Sequence, residues 1–549
     1  MSANTILPQL PFTGERMVPF RADSATELFH WQRYLFFRPW YEDRVVMDAA
    51  SGEGYGTAYA ANFASRAIGV EIDPEVVDHA KARYPHAEFF ACDVLEADYS
   101  LAEVVLSFET IEHLQNPRAF LEKLRECTGT VVISTPNRAY HSPGNQLDDR
   151  PWNEFHTVEW SPEEFAQLIR EVFGDRQVRF LSQQASFPGL IKPGLDENAR
   201  YTLAVIGDLP IPQWPRIGLA MPTVNGAKRV CDAVNSLCRT YPGDLEIAVV
   251  ANGSNSENLE TLRRLQTELA DIVHLIELRE NKGYGVGANK GLDYLWQNSW
   301  IDLFGVTNDD IVPGYDCLPQ LVSAYQTLHD EGHRPGIVGP VSNEVSGAQK
   351  VHIGEYGSYE QMMIDSEMWH RTNRSSATQA VQIRGLFFLM SAECLSDLGG
   401  FDPRFGLGNF EDDDLNIRCR LAGYTLWIAE GAFLHHTGST TFRELGVEYE
   451  STIQRNLDIL LEKWNCENLA LALSIEHCPE QVSVFQSLGS RRTSSPFQLK
   501  LNGQEVDLVY EASDLEFTAY LAHRLSNHRR KDRAKLIQCL NELSMQAIG

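Results

Sequence analysis

Three prolines within six residues, Pro210, Pro212 and Pro215, break any regular element and make Gly207 to Arg216 a linker. On each side of it, short apolar runs alternate with helical stretches, and each side opens with its own strand running into a loop. That alternation predicts two α/β domains with parallel sheets. At roughly 100–200 residues per domain, a chain of 549 residues divides into about three parts or more. The reading is residues 1–206, a linker at 207–216, residues 217–465, and a small α+β region at 466–549.

A hydrophobic content of 43% with 22% charged residues is ordinary for a globular protein. The net charge of −28 argues against nucleic acid as a partner, because a phosphate backbone needs a concentrated cationic face. The ten cysteines are scattered, without a C-x-x-C pair or metal-ligand spacing, and read as free thiols in a reducing compartment. There is no charged-then-apolar leader, and no window approaches the roughly 18 apolar residues that span a bilayer. The expectation is a cytoplasmic protein, with any membrane contact peripheral at the inner face of the cell membrane.

In the first half, Val45-Val46-Met47-Asp48-Ala49 is a buried-type strand that breaks into Ala50-Ser51-Gly52-Glu53-Gly54-Tyr55-Gly56. Its glycines let a ligand approach the backbone at a helix N-terminus. Ala67 to Glu71 is a second strand, ending in a carboxylate placed to meet ribose hydroxyls. Phe89 to Val94, Val104 to Glu109 and Thr130 to Ser134 are the next three strands.

With Asp93, Phe108-Glu109-Thr110-Ile111-Glu112-His113-Leu114 and Ser134-Thr135-Pro136-Asn137, these pieces resemble the class I S-adenosylmethionine-dependent methyltransferases, over residues 12 to 190. The resemblance implies a Rossmann-like fold and S-adenosyl-L-methionine as cofactor. It implies Glu71 at the ribose, Asp93 at the adenine amine, and Gly52 and Gly54 at the methionine part, with Asp48 in the same set. Ala50 stands where the family usually has glycine. Phe12-Thr13-Gly14-Glu15-Arg16 and Asn153-Glu154-Phe155-His156 resemble a subgroup found with surface-polysaccharide genes. Methyl transfer to a hydroxyl needs alignment and a proton acceptor, and His113 and His156 are candidates. A histidine bracing the loop after the fourth strand is the other reading of His113.

In the second half, Ile217 to Thr223 and Leu245 to Asn252 are strands of a fresh mononucleotide-binding start. Asn281-Lys282-Gly283, continuing through Asn289 to Gly291, offers amides and glycines beside a helix, suited to a diphosphate. The apolar run Ile301 to Val306 leads into Thr307-Asn308-Asp309-Asp310, carboxylates at a strand mouth where a divalent cation is readily held. Asn409-Phe410-Glu411-Asp412-Asp413-Asp414-Leu415 supplies a carboxylate for proton abstraction.

Together with Gly385 to Met390, Gly399-Gly400-Phe401-Asp402 and His435-His436-Thr437-Gly438-Ser439, these motifs resemble the family 2 glycosyltransferases of the GT-A fold, over residues 217 to 445. The resemblance implies inverting transfer from a nucleotide-diphosphate sugar, dTDP- or UDP-linked, with Mg or Mn as the divalent cation. Asp310 is then a metal ligand with Asp309 beside it, and His435 completes the shell, with His436 the alternative. Asp412 is the base, Glu411 its neighbour, and Asp414 orients the helix start through local hydrogen bonds. Ala251 replaces a common aspartate, so nucleoside recognition passes to Thr223 and Asn252.

Beyond Trp464, Phe497 to Val509 reads as a hairpin turning at Asn502-Gly503, with helices after it. A basic cluster from Arg524 to Lys535 is either a solvated helix face or a place to meet lipid headgroups or a phosphorylated carrier. The expected whole is a bifunctional enzyme that transfers a sugar and a methyl group in building a bacterial surface glycan or glycosylated surface protein, with a glycan, lipid-linked or protein acceptor. The alternative is a glycosyltransferase whose first domain only binds substrate.

Overall fold

The computed structural model describes residues 10, 16–21, 24–438 and 449–475, and the strands Phe497–Leu501 and Gln504–Leu508. Residues 12–15, Ser439, the Asn502-Gly503 turn, the helices expected after it and the basic cluster at 524–535 lie outside them. The chain divides into two compact units, residues 1–214 and 215–549.

The first unit is built on eight strands: β1 (Val45–Ala49), β2 (Arg66–Glu71), β3 (Glu88–Ala91), β4 (Val104–Ser107), β5 (Thr130–Pro136), β6 (Val178–Gln183), β7 (Ile191–Pro193) and β8 (Tyr201–Ile206). They lie in the order β3-β2-β1-β4-β5-β8-β6-β7. The first five are parallel, with Asp48 opposite both Gly69 and Leu106. Being covered on both faces, β1, β4 and β5 are almost wholly buried and mostly apolar, which is why they were legible as runs. The sheet's antiparallel extension by β8, β6 and β7 is an addition to the sequence reading.

The strand order reverses beside β1, so the carboxyl ends of β1 and β4 flank the crevice where open α/β sheets bind ligands. Helix α1 (Ser24–Phe36) supplies Arg33 and Tyr34 to this end, and α2 (Tyr55–Ala61) starts directly after the glycine turn. Residues 207–214 are not a loose tether. Arg179 donates to the carbonyls of Gly207 (2.7 Å) and Leu209 (2.6 Å), and Trp40 donates to that of Pro210 (2.8 Å). Proline removes a donor but keeps its acceptor.

The second unit carries β9 (Ile217–Thr223), β10 (Leu245–Asn252), β11 (Val273–Leu278), β12 (Leu303–Thr307), β13 (Ile311–Pro313), β14 (Pro335–Ser342), β15 (Ala377–Ala380), β16 (Phe387–Ser391) and β17 (Thr425–His436). Their order is β11-β10-β9-β12-β16-β14-β17-β13, with β15 against β17. The β9 to β12 part is parallel, and β16 joins antiparallel to β12. This places the carboxyl end of β12 beside the amino end of β16, so Asp309 and Asp310 face the segment that begins at Arg384.

Two helices complete the site. One is α3 (Glu411–Leu421), whose first turn is the acidic run, and the other is α4 (Tyr449–Trp464). They meet through Ile417, Leu421, Leu460 and Trp464, all buried. Two further strands, β18 (Phe497–Leu501) and β19 (Gln504–Leu508), form the expected hairpin, with Leu501 opposite Gln504. Among the described residues no helix is long and apolar enough to cross a membrane.

Candidate active sites

In the second unit a cavity of about 480 Å³ is lined by Thr223, Asn252 and Asn281 on one side, Asp309 and Asp310 at its floor, and Glu411, Asp412 and Asp413 opposite. The two acidic signatures, a hundred residues apart in sequence, therefore share one space.

At the floor the neighbouring aspartates have different surroundings. Asp309 accepts from Thr223 Oγ1 at 2.5 Å and pairs with Arg229 at 3.3 Å. Burial still pushes its carboxyl above the usual range, against the pull of Thr223 and Arg229. Asp310 Oδ1 lies 3.1 Å from His436 Nε2. His436 Nδ1 donates to the Glu344 carbonyl at 2.6 Å, which fixes the ring and aims Nε2 at Asp310. Burial lowers the His436 pKa, but Asp310 and the Glu344 carbonyl outweigh it and leave it raised.

His435, named first for the metal shell, is turned elsewhere: its Nδ1 lies 2.8 Å from Tyr356 Oη. The reason is the period of a strand, which sends adjacent side chains of β17 to opposite faces. Geometry therefore gives His436 the place beside Asp310. Among these residues, Asp310 and His436 form a donor set that could hold a divalent cation.

At the opposite wall Asp412 Oδ2 accepts from the Gly385 amide at 3.0 Å, and its Oδ1 accepts from the Asp413 amide at 2.9 Å. Arg384 Nη1 stands 3.8 Å from Asp412 Oδ2 and 3.1 Å from Asp413 Oδ2. Burial, then the Asp412 charge, pushes Glu411 up to about 8 and Asp413 to about 6. Glu411 Oε2 is buried and has no hydrogen-bond partner. Asp414 faces away from the cavity. It keeps one local partner, Arg418 on the next turn of α3 at 2.9 Å, and beyond that binds Lys463 Nζ at 2.7 Å and Trp464 Nε1 at 3.1 Å, tying α3 to α4.

The amide-rich segment is less uniform than its sequence. Asn252 Nδ2 donates to the Gly283 carbonyl (2.9 Å) and its Oδ1 accepts from the Lys282 amide (2.9 Å), so it holds the turn while lining the cavity. Gly283 has φ +92°, and a Cβ there would stand 1.7 Å from the Gly406 carbonyl oxygen. Asn289, assigned to ligand binding, does not line the cavity. Both ends of its amide are taken by the Phe401 backbone, at 2.8 and 2.7 Å. Two participants escaped the sequence reading: Arg384, directly before the Gly385 motif, and Arg229, in the first turn after the β9 loop. Neither stands beside an acidic motif in the sequence, so no local signal pointed to them.

In the first unit, Glu71 Oε2 accepts from the Gly52 amide at 3.1 Å and its Oε1 from Asp73 at 3.2 Å. Gly52 and Gly54 both have positive φ, and a Cβ on Gly54 would meet Phe89 and Ala80 within 3 Å. Ala50 also has positive φ, +58°, so the turn keeps a left-handed residue there at a cost of about 1 kcal/mol. Asp93 Oδ1 accepts from Leu95 at 2.9 Å. The apolar side chains of Ile72 and Leu95, within two positions of these acids in sequence, are exposed.

Asp48 is fully buried, accepting from Thr57 Oγ1 at 2.8 Å and Tyr34 Oη at 3.2 Å, and burial raises its pKa to about 7. It braces the turn from inside. His113 lies on the short turn after β4, its Nδ1 donating to the Phe155 carbonyl at 3.0 Å, and its ring packs edge-on against His156 at 5.0 Å. The two candidate bases, 43 positions apart in sequence, are thus brought together.

Two α/β units, each with acids and glycines at the carboxyl end of a parallel sheet, define a chain of two group-transfer-type domains. Residues 47–129 match the family described as Methyltransferase domain, and residues 219–386 match Glycosyl transferase family 2. The chain is a fusion of a methyltransferase domain with a family 2 glycosyltransferase domain. It is 36% identical over 181 residues to a probable S-adenosylmethionine-dependent methyltransferase of Mycobacterium tuberculosis, covering 31% of this chain and 63% of that protein. It is 34% identical over 176 residues to a similarly described protein of Mycolicibacterium smegmatis, covering 30% of this chain and 66% of that one. The chain thus spans a little under two thirds of each relative's length. A crystal structure of GalNAc-T7 with UDP, GalNAc and Mn2+ aligns with TM-score 0.32 at 14% identity, over 40% of this chain and 44% of that one.

Proposed function

We propose that this chain transfers a sugar from a nucleotide-diphosphate donor and a methyl group from S-adenosyl-L-methionine, in building a surface glycan or glycosylated surface protein. The observation that carries the sugar reading is the cavity with the Asp310–His436 pair at one wall and Asp412 at the other. Asp310 and His436 are the residues that would hold a divalent cation, which when bound offsets charge on the departing diphosphate. Asn252 and Asn281 line the donor side. On the acceptor side Asp412 takes the proton of the attacking hydroxyl, its oxygens aligned by the Gly385 and Asp413 amides. Glu411, with a pKa near 8, is mostly protonated at neutral pH and is the poorer base. One base on one face fits single displacement with inversion.

For methyl transfer, Glu71 and Asp93 bind the nucleoside and the Gly52–Gly54 turn admits the rest of the cofactor, which supplies an electrophilic methyl. His113, its Nδ1 fixed on Phe155, presents Nε2 to an acceptor hydroxyl. The purified chain, incubated with dTDP- and UDP-sugars and an acceptor, releases nucleoside diphosphate, and Asp412→Asn lowers that turnover by about 10²-fold or more. Unchanged turnover in this variant removes Asp412 as base. Calorimetric titration with S-adenosyl-L-methionine tests the first unit separately; no binding leaves it as a substrate-holding module.

A further inference from the structure

We propose that Glu112, His113 and His156 form a binding site for a divalent transition-metal ion at the carboxyl end of the first unit's parallel sheet. One candidate ligand atom from each lies within 4.8 Å of the other two.

Glu112 carries the first argument. It is 0% exposed, its Oε1 has no hydrogen-bond partner, and its Oε2 accepts only a long bond from Thr135 Oγ1, at 3.4 Å. A buried carboxylate oxygen left without a partner is costly unless a cation or donor completes it. Glu112 Oε1 stands 4.0 Å from His113 Nε2, so it is aimed into the cluster.

The histidines carry the second. His113 Nδ1 donates to the Phe155 carbonyl at 3.0 Å, and His156 Nδ1 donates to Glu159 Oε1 at 2.6 Å. A ring whose Nδ1–H is held by a carbonyl or carboxylate offers Nε2 as its lone-pair nitrogen, the arrangement found behind metal-bound histidines. Asn153 Nδ2 donates to His156 Nε2 at 2.8 Å in the metal-free protein, a bond that an ion bound at this nitrogen replaces.

The frame around the cluster is stitched together. Thr157 donates to the Glu112 carbonyl through its amide (2.7 Å) and its hydroxyl (2.9 Å). The segment bearing His156 is thereby held against the turn bearing the other two ligands. Ligands about 2.0–2.2 Å from a common ion stand roughly 3–3.5 Å apart, so closing the cluster asks for about 1 Å of contraction. Two imidazoles and a carboxylate suit zinc, iron, cobalt or nickel better than magnesium, and leave coordination positions open.

Thr110 Oγ1 donates to the Ala49 carbonyl at 3.4 Å, so the turn bearing Glu112 adjoins the end of β1, where the glycine turn begins. Taken with the methyl-transfer reading, on which this consequence alone rests, an open position would take the acceptor oxygen and lower its pKa, so that its proton passes to water as the methyl group leaves the sulfonium for that oxygen. His113 then acts as a ligand, and its role as proton acceptor belongs to the metal-free protein.

The test uses the full-length protein stripped with chelator and titrated with Co2+, read by its visible d–d absorption and by stoichiometry. The expected result is an absorbing equivalent that disappears in His113→Ala/His156→Ala and in Glu112→Gln, and persists in His436→Ala, which removes the donor in the second unit. Cobalt should raise the melting temperature of the wild type but not of the first-unit variants, whose metal-free melts match wild type in the Glu112→Gln case. Equal cobalt binding and spectra in wild type and Glu112→Gln overturn the site, as does a wild-type spectrum that vanishes with His436→Ala alone. Calorimetry with S-adenosyl-L-methionine is run in parallel: absent cofactor binding with cobalt binding intact refutes the methyl-transfer reading and leaves the metal site standing.

Discussion

Among the described residues Arg384 is the one cation that faces both Asp412 and Asp413 across the cavity wall, with Nη1 3.8 Å from one carboxylate and 3.1 Å from the other. Replacing it by glutamine keeps a donor and removes the charge. At 3.1 Å a unit charge pair is worth about 1 kcal/mol in water and about 5 kcal/mol at an effective dielectric of 20. The Arg384 side chain is 24% exposed and that of Asp413 is buried, so the lower half of that span applies, equivalent to about one to two pH units. The sign follows from the charge. The cation favours the ionised form of Asp413, whose pKa stands at about 6 with Arg384 in place, so its loss favours the protonated form. Arg384→Gln should move the Asp413 titration, followed by carboxyl carbon-13 NMR, upward by about one to two units. Arg384→Lys, which keeps the charge, should leave it near its wild-type position. An unmoved titration in Arg384→Gln would refute the claim that Arg384 tunes the acid cluster.

Asp48 carries a native pKa of about 7 against an ordinary 3.8; its contribution is intact below the lower value and lost as pH rises toward the higher. Asp48→Asn does not titrate, so urea unfolding should show the variant gaining about 2 kcal/mol relative to wild type between pH 5.5 and 8, and a constant gap would contradict the buried acid. Gly283→Ala drives a Cβ into the Gly406 carbonyl at a positive φ and should cost about 3 kcal/mol, read as a fall in melting temperature with weakened donor binding. Nitrogen-15 spectra of metal-free protein should report the Nδ1–H tautomer for neutral His113; the Nε2–H form would remove it both as proton acceptor and as ligand in that state.

Strands β1, β4, β9, β10 and β12 were legible because a parallel sheet covered on both faces demands unbroken apolar runs. β6 to β8 and β13 to β17 were not: apart from the parallel pair β14 and β17, their partners are set by antiparallel returns whose register is a tertiary fact. The same limit governs the sites. Carboxylates at strand ends could be placed from sequence, since the end of a run is visible. The choice between His435 and His436 could not, because alternation gives opposite faces without saying which face is the cavity. Asn289 shows the converse. Its place in a glycine-rich stretch resembled a ligand-facing amide, yet packing spends both of its polar ends on Phe401. Asp414 likewise looked like a local cap, and besides Arg418 its partners came from a helix some fifty positions away.

The acidic run at the start of α3 shows how such a cluster can hold one reactive group. Successive helical positions turn by about 100°, so Asp412 and Asp414 point to opposite sides, one to the cavity and one to α4. Asp414 is neutralised by Lys463 and Arg418, and Asp413 is met by Arg384 and Gln382. Glu411, buried without a partner for Oε2, avoids the cost of charge by holding its proton. Asp412 is left with two backbone amides, a more distant guanidinium and an opening to the cavity. The first unit sorts its acids in a parallel way. Asp48 is buried in the core with its pKa raised to about 7, and Glu109 is met by Arg33 and Ser134. Glu112 and Glu159 each keep one buried oxygen without a hydrogen-bond partner. In the second unit, then, accounting for how every neighbouring carboxylate is neutralised singles out Asp412 as the one that chemistry at the site would have to use.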